Sequence, residues 1–270
     1  MKTKPQILLT NDDGISSPGL WAVARTLSAL GYVTVAAPRE QHSGAGRSVP
    51  PSSDGEVKPT LLQIGDEEWT CYAMGGSPAQ SVQMGIFHVL KQKPDLVVSG
   101  INYGENPATD ITLSGTVGAA LEAASAGIPA LAVSLQLENE DYLGHSKETD
   151  FSAAAFFAAK FARILLEKKM PADVRALNVN VPARATINTP WRITRLGSHG
   201  YFVPYLKQPE KPGALARIDA RPSPHADDLA DASTDVHALN VAHIVSVTPL
   251  SLDLTSRVNR DDLAKLFEDK

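Results

Sequence analysis

The sequence predicts an α/β protein whose mostly parallel sheet is covered by helices on both faces. Short apolar runs alternate with segments of helical periodicity along most of its 270 residues. Continuous apolar strands between amphipathic helices are typical of a buried parallel sheet. Two stretches interrupt the alternation, residues 38–59 and residues 184–242. We therefore expect three layers, with an extended C-terminal β-hairpin arm leaving the main body.

The first βαβ unit shows how each element is predicted. Residues 6–10 form an apolar run that stops at the polar turn of residues 11–14. Apolar residues then recur at helical spacing from Leu20 to Leu30, and residues 32–37 form a second buried strand. A crossover between parallel strands is right-handed, so this unit begins a Rossmann-like sheet.

The same alternation continues through the rest of the chain. It predicts helices at about 78–91, 115–126 and 150–168, followed by strands at 95–99, 130–135 and 176–181, then a returning strand at 243–250 and a helix near 259–268. We expect a Rossmann-like core over 1–183, the arm over 184–242, and a returning strand and helix over 243–270. Residues 38–59, rich in Pro, Ser and Gly, are a candidate functional loop.

The composition excludes several classes of protein. A formal net charge of −5, from 25 basic and 30 acidic residues, argues against a protein that binds duplex nucleic acid. A single cysteine, Cys71, permits no internal disulfide and no zinc site built from cysteine pairs, and we expect it in the core. No apolar stretch approaches about 18 residues, so we expect no membrane segment and a cytoplasmic location.

Polar residues collect where the predicted strands end, the edge at which parallel sheets bind ligands. Adjacent carboxylates, joined by hydroxyl and amide oxygens from other loops, are the ligands that Mg²⁺ and Mn²⁺ prefer. The alternative is that Asp12, Asp13 and Gly14 form an ordinary turn in which one Asp caps the next helix. The residues at this edge are Asn11, Asp12, Asp13, His42, Ser43, Gly44, Asn102, Ser114, Gly115 and Thr116.

Ser114, Gly115 and Thr116 stand where a predicted helix begins. Free N–H groups and the helix dipole favour an anion there, and a glycine permits its close approach. The alternative is that Ser114 only caps the helix. Because a metal site and an anion site fall at the same edge of the sheet, the pattern favours phosphoryl transfer or phosphate-ester hydrolysis.

These residues also form an ordered set of motifs that resembles the SurE (survival protein E) family over nearly the whole chain. The resemblance implies a metal-dependent phosphatase of nucleoside monophosphates, a 5′-nucleotidase that also takes 3′-nucleotides. The motifs are Leu-Leu-Thr-Asn-Asp-Asp-Gly at 8–14, Ser-Gly at 43–44, Val-Ser-Gly-Ile-Asn-Tyr-Gly at 98–104, Ser-Gly-Thr-Val-Gly-Ala-Ala at 114–120, Leu-Asn-Val-Asn-Val-Pro at 177–182, Thr-Asp at 234–235 and Ser-Val-Thr-Pro-Leu at 246–250.

The resemblance also implies site residues and a cofactor, one divalent cation per subunit, Mg²⁺ or Mn²⁺. Asp12 or Asp13 would orient or deprotonate the attacking water, and Asp110 matches an acidic position outside the ligand set. The implied metal ligands are Asp12, Asp13, Ser43 and Asn102, and the implied phosphate-binding residues are Asn11, Gly44, Ser114, Gly115 and Thr116. The chain departs from the family pattern at Gln80 and at Ala242 and His243.

Three other functions fit parts of the pattern. An aspartyl-phosphate phosphatase would use a carboxylate after the first strand as nucleophile, although such enzymes usually separate two Asp by one residue. A dinucleotide-binding oxidoreductase would need a glycine-rich turn with a third glycine, and this chain has only Gly44 and Gly46 there. A metal-and-nucleotide sensor would bind the same ligands without turnover.

The proposed arm carries an apolar surface that predicts self-association. The arm has four aromatic residues in a stretch of 15, namely Trp191, Tyr201, Phe202 and Tyr205. Soluble monomers rarely leave such a patch exposed. Burial against a second copy would give a homodimer or a dimer of dimers through residues 184–242, as the family resemblance also implies. The alternative is a hairpin folded back on its own sheet.

Overall fold

The computed structural model describes residues 4–138, 149–207 and 216–268. Eleven strands lie in these ranges: β1 (Gln6–Thr10), β2 (Tyr32–Pro38), β3 (Val57–Ile64), β4 (Glu67–Met74), β5 (Leu96–Tyr103), β6 (Ala130–Leu135), β7 (Ala176–Val181), β8 (Trp191–Ile193), β9 (Phe202–Lys207), β10 (Arg217–Pro222) and β11 (Val245–Leu250). The α-helices are α1 (Pro18–Ser28), α2 (Pro78–Met84), α3 (Gly115–Ser125), α4 (Ser152–Glu167), α5 (Ala226–Ala230), α6 (Asp235–Asn240) and α7 (Arg260–Lys265).

Nine of these strands form one sheet in the order β3-β4-β2-β1-β5-β6-β7-β11-β8. All neighbours are parallel except β3 with β4 and β7 with β11. The chain leaves β1 toward β2 on one side, and β5 flanks β1 on the other. Ligands of open parallel sheets bind beside the carboxyl end of the strand where the order reverses, which here is β1.

Helices cover both faces of the sheet, as the sequence predicts, and the mostly parallel α/β fold is confirmed. Side chains alternate across β1, so Ile7 and Leu9 pack under α1 and α4 while Leu8 packs under α2 and α3. These side chains are fully buried, and each contributes about 1.5–3 kcal/mol by leaving water. Cys71 is buried in the same core, as expected.

The hairpin of β3 and β4 was not foreseen in the sequence. The predicted loop at 38–59 ends where β3 begins at Val57, and eight residues of β3 pair antiparallel with β4. The strand is an edge strand with alternating exposed positions and carries Pro59, which is tolerated at an edge and weakens its sequence signal. The predicted helix at 78–91 is α2 followed by a π-helical turn, Gly85–Leu90.

Residues 184–242 form the predicted arm only in part. Strands β9 and β10 make a separate two-stranded antiparallel sheet, whereas β8 joins the main sheet beside β11. Residues 208–215, between the two hairpin strands, lie outside the described residues. The expectation that Tyr201 lies on an exposed arm is wrong: it is 1% exposed, and its hydroxyl donates to Glu105 Oε1 at 2.9 Å.

Candidate active site

Three consecutive polar residues follow β1 into the crevice at the reversal point, and all are buried. Asn11, Asp12 and Asp13 are 0%, 5% and 6% exposed. Asn11 Nδ2 donates to Gly14 O at 3.0 Å, which closes the turn that the sequence predicts. Residues 11–14 therefore form the expected turn, but the N-cap of α1 is Ser17, so neither aspartate caps that helix, and both carboxylates are buried.

Asp12 is held by the start of α3. The Thr116 hydroxyl donates a short hydrogen bond to Asp12 Oδ1, across 104 residues of sequence. Burial raises the pKa of Asp12 to about 6, although hydrogen bonds from the Thr116 hydroxyl and from backbone N–H groups of Thr116 and Gly115 oppose the rise. The contact brings the end of β1 and the helix N-terminus into one site, as the position of both at the same sheet edge predicts.

Asp13 contacts β5, the strand on the other side of β1 from β2. Its Oδ2 accepts the backbone N–H of Tyr103 at 3.2 Å, at the end of β5. Burial raises the pKa of Asp13 well above its ordinary value, and the negative charge of Asp12 raises it further. Since both carboxylates are buried and repel each other, their ionised forms need a positive partner.

The donor set fits a divalent cation. Within the described ranges, neither Asp12 nor Asp13 forms an ion pair with Lys or Arg. Asn11 Oδ1 is also buried with no hydrogen-bond partner among those residues. Two carboxylates and neighbouring neutral oxygens are the ligand type of Mg²⁺ and Mn²⁺, and a cation would offset their desolvation.

Asn102 directly precedes Tyr103 at the end of β5. Its Nδ2 donates to Tyr103 O at 3.2 Å and to Gly104 O at 2.7 Å. These bonds fix the amide, and its Oδ1 has no hydrogen bond within the described part of the chain. Asn102 thus offers a neutral oxygen next to the residue whose N–H contacts Asp13.

The loop after β2 is tied to the site at two points. His42 N donates to Asp12 O at 2.7 Å, and Gly46 N donates to Leu113 O at 2.9 Å, just before α3. Ser43 and Gly44 are exposed between these two ties. The Ser43 hydroxyl accepts a hydrogen bond from Gln41 Nε2 at 2.9 Å, and Gly44 has a φ of +74° with open space around its Cα.

The N-terminus of α3 serves as a capped helix start and as a wall of the site. Ser114 Oγ accepts the N–H of Val117 at 3.1 Å, which is the capping role considered for it. A Cβ at Gly115 would lie 2.8 Å from the Cβ of Asp12, and one at Gly118 would lie 2.1 Å from Gly46 O. Both contacts are too close for any side chain, so the two glycines let α3 approach Asp12 and the loop after β2.

Asp110 has a different role from the one that the sequence suggests. Its Oδ2 accepts the backbone N–H groups of Tyr201 at 2.8 Å and Phe202 at 2.7 Å. Asp110 therefore anchors the base of the β9–β10 hairpin to the turn that precedes α3. A connection between hairpin and site cannot be derived from sequence spacing.

A polar network behind the site was also missed. Asn106 N donates to Asn180 Oδ1 at 2.7 Å, and Asn106 Nδ2 donates to Ser134 Oγ at 2.8 Å. Asp235 accepts the N–H groups of Ala108 at 2.9 Å and Gly197 at 2.8 Å. The available signal was the polar alternation at 178 and 180 inside an apolar strand, and the network fixes the loop between β5 and α3.

A cavity of about 430 Å³ lies at the opposite end of the strands, between the ends of α3 and α4. None of the predicted site residues lines it. The helices of the described ranges include none with the length and apolar character of a membrane span.

Comparison with known proteins decides the family. The family model described as "Survival protein SurE" matches residues 7–202. The chain belongs to the SurE family. A Methanosarcina acetivorans protein named 5′-nucleotidase SurE is 43% identical over 273 residues, 97% of both chains, and a Thermococcus kodakarensis protein of the same name is 38% identical over 97% of this chain and 98% of its own. The crystal structure of a SurE protein from Aquifex aeolicus has a TM-score of 0.73 at 33% identity, with 98% of this chain and 100% of that chain covered.

This SurE chain departs from the family pattern at two places, and the structure shows what the residues do there. Gln80 forms a capping box with Ser77, whose Oγ accepts the Gln80 N–H at 3.1 Å while Gln80 Oε1 accepts the Ser77 N–H at 3.0 Å. Gln80 Nε2 also donates to Pro50 O at 3.0 Å, which anchors the long loop. Ala242 and His243 lie in the turn before β11, and His243 has a φ of +50°.

Proposed function

We propose that this chain is a divalent-metal-dependent phosphatase, a 5′-nucleotidase that hydrolyses nucleoside monophosphates to nucleoside and phosphate, with 3′-nucleotides as a further substrate class. Relatives named 5′-nucleotidase SurE match it over 97% of its length. The observation that carries the proposal is the hydrogen bond between Thr116 and Asp12, which joins a carboxylate pair to a helix N-terminus. At this junction the carboxylates complement the charge of a cation, and the helix N-terminus complements the negative charge of a nucleoside monophosphate.

One divalent cation per subunit, Mg²⁺ or Mn²⁺, would be held by Asp12, Asp13, Ser43 and Asn102. The two carboxylates balance its charge, and the hydroxyl and amide supply neutral oxygens. When bound, the cation supplies Lewis-acid stabilisation of the phosphate and activates water. The Asp13 contact with Tyr103 N and the fixed amide of Asn102 support this ligand set.

The substrate phosphate would lie against the start of α3. Gly115 and Thr116 place the positive end of the helix dipole there, and Asn11, Gly44 and the Ser114 side of the turn complete the pocket. This positive end would stabilise the negative charge that grows on the phosphate oxygens during in-line attack. Gly115 keeps this wall free of a side chain, since a Cβ would already meet Asp12.

The remaining chemistry falls to the two carboxylates. Either Asp12 or Asp13 would orient the attacking water and accept its proton. The hydrogen bond from Thr116 would keep Asp12 Oδ1 in place while the positive end of α3 faces the phosphate. Nucleophile and phosphate are thereby positioned by rigid elements, β1 and α3, which reduces the entropy cost of reaching the transition state.

The first test is phosphate release from a nucleoside monophosphate, with added Mn²⁺ and with EDTA. We expect release that EDTA abolishes and that Asp12→Asn reduces by more than about 100-fold at limiting Mn²⁺, because one of two ligand charges is lost. Folding of the variant is checked by circular dichroism. Binding of nucleotide without release would identify a sensor, and a phosphorylated aspartate trapped from labelled substrate would identify an aspartyl-phosphate enzyme.

We further propose that the chain forms a homodimer or a dimer of dimers through the arm. The β9–β10 hairpin exposes Val203, Leu206 and Ile218, which are 44%, 55% and 71% exposed. A patch of this kind is stable in water when a second copy covers it. Light scattering should give a dimer or tetramer for the intact chain and a smaller species for Leu206→Asp. A monomer at micromolar concentration would contradict this assembly.

Several expectations remain predictions. They are the division into 1–183, 184–242 and 243–270, the cytoplasmic location, the absence of duplex nucleic acid and membrane partners, and the identity of the physiological cation.

A further inference from the structure

Two histidines face each other at the base of the β9–β10 hairpin, outside the site already described. The ladder pairs Phe202 with Pro222, and Ser223 N donates to Tyr201 O at 2.8 Å. The same register, continued by two more residue pairs beyond Tyr201 and Ser223, sets His199 opposite His225. Their rings stack with centroids 3.7 Å apart and an interplanar angle of 16°.

A carboxylate completes this cluster. Asp227 lies in the first turn of α5, and its Oδ2 is 3.7 Å from His225 Nδ1. One nitrogen or oxygen from each of His199, His225 and Asp227 lies within 4.8 Å of the other two. Two ligand atoms at zinc distances of 2.0–2.2 Å and a tetrahedral angle lie about 3.4 Å apart. All three side chains are exposed, and the two rings would turn out of their stack to direct one nitrogen each at the same cation.

His199 is oriented from behind by a buried carboxylate. Asp228 Oδ2 lies 3.0 Å from His199 Nδ1, and the two carboxylate oxygens accept the N–H groups of Ser198 at 2.9 Å and His199 at 3.0 Å. When His199 Nδ1 carries the ring proton and donates it to Asp228, the lone pair of Nε2 is left for a ligand.

This arrangement is the one that metal-binding histidines require. A ligating imidazole usually donates its other N–H to a carboxylate, which fixes the ring and increases its basicity. Three protein ligands with a fourth position for water are common for zinc, and imidazole with carboxylate suits Zn²⁺ and similar cations better than Mg²⁺. The set therefore differs in chemistry from the carboxylate, hydroxyl and amide oxygens around Asp12.

We propose that His199, His225 and Asp227 form a second cation site, selective for a borderline d-block cation such as Zn²⁺, with Asp228 positioning His199. The bound cation links His199, three residues before β9 begins, to His225 and Asp227 after β10, and so closes the base of the hairpin. Since the unfolded chain does not hold these ligands together, binding stabilises the folded form. Asp110 holds the same hairpin base two residues further along, so the cation fixes the arm relative to the turn before α3.

Isothermal titration of the metal-free full-length chain with Zn²⁺ tests the site. The critical variant is His225→Asn, because Asn keeps the capping acceptor for the Asp227 N–H but removes the imidazole. We expect it to lose one Zn²⁺ per chain or to weaken that site by more than about 100-fold. His88→Ala, which removes another exposed histidine, should bind like the wild type, and Asp12→Asn should keep the imidazole site.

Two further measurements keep the test independent of a single variant. Asp228→Asn should weaken Zn²⁺ binding by about 10–100-fold, because the ring loses its charged partner. Zn²⁺ should raise the melting temperature of the wild type and His88→Ala more than that of His225→Asn. Equal Zn²⁺ stoichiometry and affinity in the wild type and His225→Asn would overturn the proposal, as would loss of all Zn²⁺ binding in Asp12→Asn.

Discussion

Replacing Thr116 by valine tests the contact that unites the candidate active site. The Thr116 hydroxyl donates to Asp12 Oδ1, and both side chains are buried. Valine has the same shape as threonine and removes only the hydroxyl, whereas Thr116→Ser keeps the hydroxyl and removes a methyl group. The pair of variants therefore separates the hydrogen bond from the packing.

The size of the effect follows from the charge on Asp12. A hydrogen bond to a charged group contributes about 1.5–3 kcal/mol, and one pKa unit corresponds to about 1.4 kcal/mol. Because the bond favours the carboxylate, its loss raises the pKa of Asp12 from about 6 to roughly 7–8 in the metal-free protein. At pH 7 the ionised fraction falls from about nine tenths to between about one half and one tenth. Proton competition alone should weaken cation binding by about 2–10-fold.

Mn²⁺ titration at pH 7 and pH 9 is the assay, with phosphate release at limiting Mn²⁺ as a second readout. We expect Thr116→Val to bind Mn²⁺ about 2–10-fold more weakly than the wild type at pH 7, with most of the difference gone at pH 9. Thr116→Ser should stay near the wild type at both pH values. A deficit of the same size at pH 9 would show that packing, not protonation, is responsible, and no deficit at pH 7 would remove Asp12 from the ligand set.

Two other substitutions address the helix start and the buried acid under the hairpin. Gly115→Ala should lower the free energy of unfolding by about 1–3 kcal/mol and raise KM for the nucleotide, because its Cβ would meet Asp12 at 2.8 Å. Thermal unfolding measures the first effect and steady-state kinetics the second. Inorganic phosphate should inhibit the wild type competitively. Burial raises the pKa of Glu105 above 4.5, so its ionisation destabilises the fold as pH rises from about 4.5 through the folded-state pKa. Glu105→Gln keeps the hydrogen-bond acceptor for the Tyr201 hydroxyl and should be more stable than the wild type at pH 8 but not at pH 4. Urea unfolding at both pH values measures the two free energies of unfolding.

The sequence predicts the parts of this fold that depend on local periodicity. Strands buried on both faces, such as β6 and β7, are short runs composed mainly of apolar residues and were located to the residue. The hairpin of β3 and β4 lacks such a run because half of its positions face solvent. Tyr201 was misplaced for a related reason: an aromatic residue beside prolines resembles an exposed arm until Glu105, 96 residues earlier, is known to lie under it.

The candidate site was predictable because topology brings its parts together. Strand ends of a parallel sheet share one edge, so Asp12 and Thr116 were expected near each other without any knowledge of side-chain contacts. The roles of Asp110 and Gln80 depend on particular hydrogen bonds to backbone atoms of distant segments. No periodicity or spacing encodes such bonds, and an acidic residue near a motif is equally consistent with a ligand or an anchor.

The hydrogen bonds that Asp13 and Asp235 accept separate these two roles for this pair of buried carboxylates. Asp235 accepts backbone N–H groups from Ala108, Gly197 and Val236, so both of its oxygens are satisfied and no room is left for a cation. Asp13 accepts one N–H, on Oδ2, and its Oδ1 has no hydrogen bond within the described residues. A buried carboxylate with an unused oxygen beside a second carboxylate is costly unless a cation binds there. This difference, rather than the Asp-Asp sequence itself, agrees with the proposed metal-binding role of Asp13 and with a structural role of Asp235.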